Sequence, residues 1–501
     1  MHSGSATRSA FSSEDGGSSS HSPLSRLISS RSFFLIALAS LFAIHVGVRL
    51  ITSPIAAIDE SWQIVLSQKW ALGYTSHPPL YTWLQIIFFK MFGESIFALA
   101  LLKNALLFGV YAFTYASARL VTRRHADAVF TTLCLFLIPQ ISWESQRDLT
   151  HSVLLSTTTA STLCIFLWLA ERATTLRYAL LGLSAGCALL SKYNSAVFLV
   201  AFTGAALLIP RYRALLLKPR MLIALAVCVF VALPHFIWLS LNMEQALAAS
   251  RKLDSGHFTS WGTAALRMPG LMVKAALPNF VPIAVAYALA RPRSAWRLRT
   301  DLARLLLWGT VASLMLLTLG MIVAKGGGLR GRWFQPLFVC APILLVAQLS
   351  EVPRYLFRLV LGLALVAIVA VVILLPWNVN RSAGQRNQDL TAVTMNEVVA
   401  ATRDSFTNAE LIIAESFWLG GNMKLAFQKP VVTPLAPLQI REASTRVVVV
   451  FDASNSSEPS RRLRQFVSDY LKRPFELRVR HLSSNDDPRR TGMRVGVAIV
   501  E

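Results

Sequence analysis

The chain has 501 residues, 54% of them hydrophobic and only 15% charged, against roughly 25% charged residues in a soluble domain. That composition excludes an ordinary soluble protein and points to a polytopic membrane protein. The net charge of +23 would suit a nucleic-acid binder. Lys and Arg, however, fall mostly in short connectors between apolar runs, the pattern that encodes topology in a membrane, so no nucleic-acid partner is expected.

Residues 1–31 are rich in Ser, Gly and Arg and read as a disordered cytoplasmic segment. Arg26 and Arg31 precede an apolar run at 33–52. Its length, and the absence of a small-residue cleavage site, favour a retained first span over a signal peptide. Further runs, each near the roughly 20 residues a bilayer needs, fall at 95–118, 127–143, 150–170, 178–191, 194–210, 221–240, 271–290, 303–323, 333–350 and 356–376. About eleven transmembrane helices are therefore expected. The stretch 79–92 is shorter and ends in Lys90, which suits a helix lying at the interface.

With the N-terminus in the cytoplasm, Arg119, Arg123, Arg124, Arg172, Arg177, Arg211, Arg213, Lys218, Arg220, Arg291, Arg293, Arg297, Arg299, Arg304, Arg354 and Arg358 all fall inside, as the positive-inside rule requires. The part beyond 377 then lies outside the cytoplasm. Its β-rich runs at 410–416, 446–453 and 493–500 alternate with helix-like sequence such as 458–472. The expected fold is a polytopic α-helical membrane domain (32–376) followed by a small α/β extracytoplasmic domain (377–501). Cys134, Cys164, Cys187, Cys228 and Cys340 all sit in apolar runs, which argues against a disulfide framework or a thiolate metal site.

The first outer connector carries the stretch "AIDESWQIVLSQKWALGYTSHPPLYTWL" (57–84), with adjacent carboxylates Asp59 and Glu60 and then His77 before two prolines. A solvated loop is the bland reading of such acids. The second outer connector, "ISWESQRDLTHS" (141–152), adds Glu144 and Asp148 beside Arg147 and His151. Other outer segments supply cations: Lys192 in "SKYNS", Arg251, Lys252, Asp254 and His257 in "ASRKLDSGH", and Lys325, Arg330 and Arg332 in "AKGGGLRGRWFQP". Topology puts cations on the other side, so these have another reason to exist. Lys192 can snorkel, but an interfacial cation is otherwise a functional candidate. His45 and His235 read as core or kink residues.

An anionic lipid headgroup such as a phosphate would explain a cationic, Gly-flexible outer loop. A carboxylate can remove a proton from an acceptor hydroxyl, and cations can stabilise a departing phosphate. No His or Cys spacing marks a metal site, although a divalent metal ion remains compatible with these acids. A transporter or flippase for a lipid-linked anion would also fit the spans and basic loops, though no internal repeat of the transporter kind is present. A non-catalytic envelope scaffold is the third reading.

Asp59-Glu60, then Gly73-Tyr74, then His77-Pro78-Pro79-Leu80 resemble the signature of GT-C class, polyprenyl-phosphate-dependent glycosyltransferases of the protein-mannosyltransferase-like family. Relatives include bacterial aminoarabinose and galacturonic acid transferases of lipopolysaccharide. "LSKY" (190–193) and "GRWFQP" (331–336) resemble further family elements, and the similarity covers roughly 33–350. The resemblance implies a polyprenyl-phosphate-sugar donor, an acceptor among envelope lipids, glycans or proteins, and a site at the periplasmic face of the bacterial inner membrane. It implies catalytic roles for Asp59, with Glu60 beside it, and for Asp148. It implies donor-phosphate binding by Lys192, Arg330, Arg332 and His77. Two departures stand out: His77 occupies a position where relatives can have Lys, and Ser152 stands where relatives often have the second-loop acid.

Overall fold

Ser and Thr side chains cap six of the described helices. In the computed structural model, which describes residues 30–75, 77–243, 258–290, 298, 300–327, 329–382, 399–400, 403, 406, 409–436, 446–453, 458–472, 477–482 and 495–500, the Ser30 hydroxyl accepts from the Phe33 N–H and opens α1 (Arg31–Thr52). The short α2 (Ile58–Leu66) and α3 (Leu80–Phe92) follow. Gly93 then turns the chain at φ +77°, and the Ser95 side chain caps α4 (Ile96–Thr122). Such caps satisfy N–H groups that the first helical turn leaves unpaired.

α5 (His125–Leu133) continues as a 3-10 turn to Leu137, after which α6 (Pro139–Ser142) and α7 (Glu144–Asp148) turn away by 81°. α8 (His151–Glu171), α9 (Thr175–Leu189), α10 (Ser195–Leu207) and α11 (Pro210–Leu216) follow, the last pair bent by 116°. Pro139 and Pro210 stand at the first position of the new leg in each break, where proline fits a helix start but not a helix interior. α12 (Met221–Leu241), α13 (Trp261–Ala290), α14 (Asp301–Val323), α15 (Gln335–Ala347) and α16 (Arg354–Ser382) complete the helical part.

Among the described residues, seven helices are long and apolar enough to cross a membrane, and up to nine if each bent pair is one span. The eleven expected runs all coincide with helices, but four differ from full straight spans. Two are the broken pairs, and α9 and Gly331–Ala347 are apolar yet shorter than the roughly 20 residues a crossing requires. The expected interfacial stretch is α3.

The C-terminal part is a five-stranded mixed sheet of β1 (Leu411–Ala414), β2 (Val431–Val432), β3 (Val447–Asp452), β4 (Leu477–Leu482) and β5 (Val495–Val500), in the order β2-β1-β3-β5-β4. β1 pairs in parallel with β2 and β3, while β5 runs antiparallel to β3 and β4. Two helices, α17 (Phe417–Phe427) and α18 (Arg461–Leu471), cover its faces. Alternation sorts the strand residues: Leu411, Ile413, Val447 and Val449 face Leu463, Val467 and Leu471 of α18. Ile412, Ala414, Val448 and Val450 share a core with Phe417, Leu419 and Met423 of α17, and also with Ile55, Val65, Leu66 and Tyr74. The first outer connector is thus built into the core of the C-terminal domain. Residues 1–29, Arg251, Lys252, Asp254, His257, Arg291, Arg293, Arg297 and Arg299 lie outside the described residues.

Candidate active site

The site is assembled around α2. Arg49, in the last turn of α1, reaches over the connector that leads to it. Its guanidinium donates to the Ser53 carbonyl at 2.6 Å, the Ile55 carbonyl at 2.7 Å and Glu60 Oε2 at 2.6 Å. Lys103 of α4 places Nζ 3.4 Å from Glu60 Oε1 and 3.2 Å from the Gln146 carbonyl. Glu60 accepts from the Ala57 N–H at 3.0 Å as well, the return bond of a capping box. Burial alone would raise the Glu60 carboxyl, but the Arg49 and Lys103 charges outweigh it and hold it at about 2. Glu60 therefore stays ionised, with both oxygens engaged.

Asp59, half-buried in the same turn, donates its N–H to Asp148 Oδ1 at 3.1 Å. Burial, then the Asp59 and Glu60 carboxylates, push the Asp148 carboxyl well above the usual carboxylate range. Acids from two separate connectors thus meet at one place.

A second strand of contacts leaves α2 at Gln63. Thr82 Oγ1 donates to Gln63 Oε1 at 3.0 Å, and Gln63 Nε2 lies 3.0 Å from His151 Nε2. An amide nitrogen only donates, so His151 accepts at Nε2 and carries its proton on Nδ1. The His151 ring stacks on His77, with centroids 4.4 Å apart, and Trp62 meets His77 at 5.9 Å. Lys192 donates to Ser152 Oγ at 2.7 Å, one residue beyond His151. The Leu80 N–H donates to the Leu190 carbonyl at 3.2 Å, joining the His-Pro-Pro-Leu segment to the Leu-Ser-Lys-Tyr turn.

The loop between α2 and α3 is pinned from several sides. Tyr74 and His77 exchange backbone hydrogen bonds across a tight turn. The Tyr74 hydroxyl donates to the Lys69 carbonyl and accepts from the Ala71 N–H. His235 Nδ1 lies 2.7 Å from the Leu72 carbonyl, and a Cβ on Gly73 would come within 2.1 Å of the Trp238 ring. Only glycine lets α12 approach this closely.

Of the residues singled out in the sequence, Asp59 meets Asp148, while His77 and Lys192 lie on the 151–152 segment through His151 and Ser152, and Glu60 is held apart by Arg49 and Lys103. These contacts do not include the Arg330 or Arg332 side chains; their turn meets the Lys192 turn through the backbone, where Asn194, two residues after Lys192, donates to the Trp333 carbonyl at 3.0 Å. Arg330 is exposed and Arg332 half-buried, in a turn whose Gly331 packs on Gln140 and Asn279. Lys325 lies over the Trp261 ring at 5.0 Å. Arg49, Lys103 and Gln63 were not anticipated. For Lys103, a lone cation inside an apolar run was the available signal; for Arg49 it was a cation at the outer end of a span.

Among the described residues no group of three or more His, Cys, Asp or Glu side chains is gathered as a metal cage. Asp59 and Asp148 are the oxygen donors that a divalent cation would favour. Paired carboxylates, with cations on neighbouring turns, are the side-chain types that group transfer from a phosphate ester uses.

A family model described as dolichyl-phosphate-mannose-protein mannosyltransferase matches residues 76–238. That range holds His77, Asp148 and Lys192 but not Asp59 or Glu60. The lipopolysaccharide core galacturonosyltransferase RgtA of Rhizobium johnstonii is 32% identical over 419 residues, spanning 80% of this chain and 82% of that protein. RgtB of the same organism, also a lipopolysaccharide core galacturonosyltransferase, is 33% identical over 321 residues, which is 62% of this chain and 64% of RgtB's length. Among solved structures, ArnT from Cupriavidus metallidurans bound to undecaprenyl phosphate superposes with a TM-score of 0.57 at 12% identity, covering 94% of this chain and 98% of ArnT. Its apo form gives 0.56 at 13% identity, covering 93% and 98%. The likeness to ArnT is one of fold.

Proposed function

Starting from a chain that belongs to the protein-mannosyltransferase-like family of membrane glycosyltransferases, we propose that it transfers one sugar from a polyprenyl-phosphate-linked donor to the lipopolysaccharide core at the periplasmic face of the inner membrane. The galacturonosyl group named for RgtA and RgtB is the first donor sugar to test. In this reading eleven crossings, two of them broken and two short, put the N-terminus in the cytoplasm. Residues 32–376 form the transferase domain, and the domain from 377 lies in the periplasm.

The single observation that carries the proposal is the meeting of Asp59 and Asp148, 3.1 Å apart from N–H to carboxylate, next to a cation-bearing turn. Asp59 takes the proton from the acceptor hydroxyl as that oxygen bonds to the anomeric carbon. The bond from that carbon to the phosphate oxygen breaks, and the polyprenyl phosphate leaves as an anion. Lys192, with Arg330, Arg332 and His77, stabilises the charge that builds on it. Asp148 orients Asp59 through its backbone, and Glu60 holds the turn through Arg49 and Lys103.

Purified protein incubated with labelled polyprenyl-phosphate sugars and lipopolysaccharide core tests this, with Asp59→Asn beside it. Wild type should label the core, and the variant should lose about 100-fold or more of the rate, in line with removal of a general base. Movement of intact donor lipid across vesicles, without transfer, would overturn the reading in favour of a flippase.

A further inference from the structure

The side chain of Asn422 is buried at 4% exposure between the C-terminal domain and the start of α2. Its Oδ1 accepts from the Ala56 N–H at 2.9 Å, and its Nδ2 lies 3.2 Å from the Ala56 carbonyl and 3.3 Å from Ser61 Oγ. Ser61 Oγ donates to the Ala56 carbonyl at 3.2 Å. One amide therefore binds the N–H and the carbonyl of Ala56, in the two successive peptide groups that lead into the Asp59 turn, together with the residue after Glu60.

The packing around it is as tight as the hydrogen bonding. A Cβ on Gly421 would lie 2.6 Å from Ser61 Cα and 2.7 Å from its carbonyl oxygen, so α17 and α2 touch backbone to backbone. Phe417 lies against Trp62, with centroids 4.1 Å apart, and Trp62 in turn meets His77. At the far end of α2 the Gln68 side chain donates to the Val431 carbonyl at 2.8 Å and accepts from its N–H at 2.9 Å, completing the free edge of β2. Lys424 pairs with Glu94 at 2.8 Å.

We infer that Asn422 is a positioning residue for the transfer reaction: through Ala56 and Ser61, α17 of the C-terminal domain fixes the turn that aims Asp59. The inference rests on the role given to Asp59 above. It makes the C-terminal domain part of the active-site frame. A displacement of about 1 Å at a reacting group can cost 100-fold in rate, so loss of this grip registers in turnover before it registers in donor binding.

The test uses the full-length protein in detergent, with Asn422→Ala and Asn422→Asp compared with wild type. Asp keeps the acceptor for the Ala56 N–H but loses the donor to the Ala56 carbonyl and Ser61, so it should loosen the turn as Ala does; a thermal midpoint read on each variant separates a loosened turn from a failure to fold. Hydrogen exchange at residues 55–62 and steady-state kinetics are read on the same samples. Expected for Asn422→Ala are faster exchange confined to 55–62, a kcat lowered at least about tenfold, and a donor KM within about twofold of wild type. Unchanged exchange, or faster exchange with unchanged kcat, would overturn the inference. A loss expressed mainly in KM would also overturn it, because the side chain would then serve donor binding. Wild-type protein without transfer activity would sink the transferase reading, and with it the catalytic half of this inference, while exchange at 55–62 would still decide whether Asn422 holds the turn.

Discussion

Glu60 is 2% exposed, and so is Lys103, yet both carry charge. Removing such charges from water costs several kcal/mol each unless partners compensate. Arg49 at 2.6 Å and Lys103 at 3.4 Å supply the compensation. Lys103→Met leaves Glu60 on Arg49 alone, so it should destabilise the protein by less than the roughly 3–5 kcal/mol that breaking a lone buried pair costs. A lowered thermal midpoint in detergent would register it. The Glu60 carboxyl is held at about 2 against an ordinary 4.5, so its folded value lies below its unfolded one. Its stabilising contribution is complete above pH 4.5 and drains away as pH falls towards 2. Between those limits the wild-type midpoint should fall more steeply than that of Glu60→Gln, which starts lower. Parallel curves for the two proteins would show that Glu60 does not hold this linkage.

At the scale of an element, the loop from Ser67 to Pro79 shows what a motif is for. Gly73-Tyr74 reads in sequence as a turn; in space Gly73 is where the Trp238 ring of α12 passes, 2.1 Å from an imagined Cβ. Gly73→Ala must therefore push the loop or the ring, displacing Tyr74 and His77, and transfer should fall by about 10- to 100-fold through misplacement. Trp238→Ala opens the space, so the double variant should recover much of that loss; strict additivity of the two effects would refute the steric account. The elements themselves were largely legible. Apolar runs located the helices, and prolines 139 and 210 were visible punctuation, though sequence could not say that they bend the chain by 81° and 116°. The β-rich runs at 410–416, 446–453 and 493–500 located β1, β3 and β5, whereas β2 has only two residues and too little pattern to see. Asp59 and Asp148 were legible as outer acids, but their hydrogen bond depends on how two connectors fold back. Asn422 carried no signal: it is a neutral side chain in a helix, 366 residues from its Ala56 partner.

The whole molecule has two chemically different ends. At one, Arg123 pairs with Glu171 at 2.6 Å, Arg124 with Glu351 at 3.0 Å, and Arg220 donates to the Ala173 carbonyl at 3.1 Å. These connectors are basic and tie to one another. At the other end, α2, the Asp148 turn, the Lys192 turn and the 330–334 turn converge with the C-terminal sheet. Among the described residues, the basic connectors around 123–124, 171–173, 220 and 351 touch one another, while α2 meets the Asp148 turn. The proposed eleven crossings, with the two ends of the chain on opposite sides, would place these two groups of connectors on opposite faces of the membrane. Cysteines introduced at Glu351, which is 60% exposed on its side chain, and at Arg462, exposed on α18, separate the orientations. In intact inner-membrane spheroplasts an impermeant maleimide should label position 462 and leave position 351 unlabelled until the membrane is opened. Labelling of both positions, or of 351 alone, would break the eleven-crossing topology and move Asp59 away from a periplasmic acceptor.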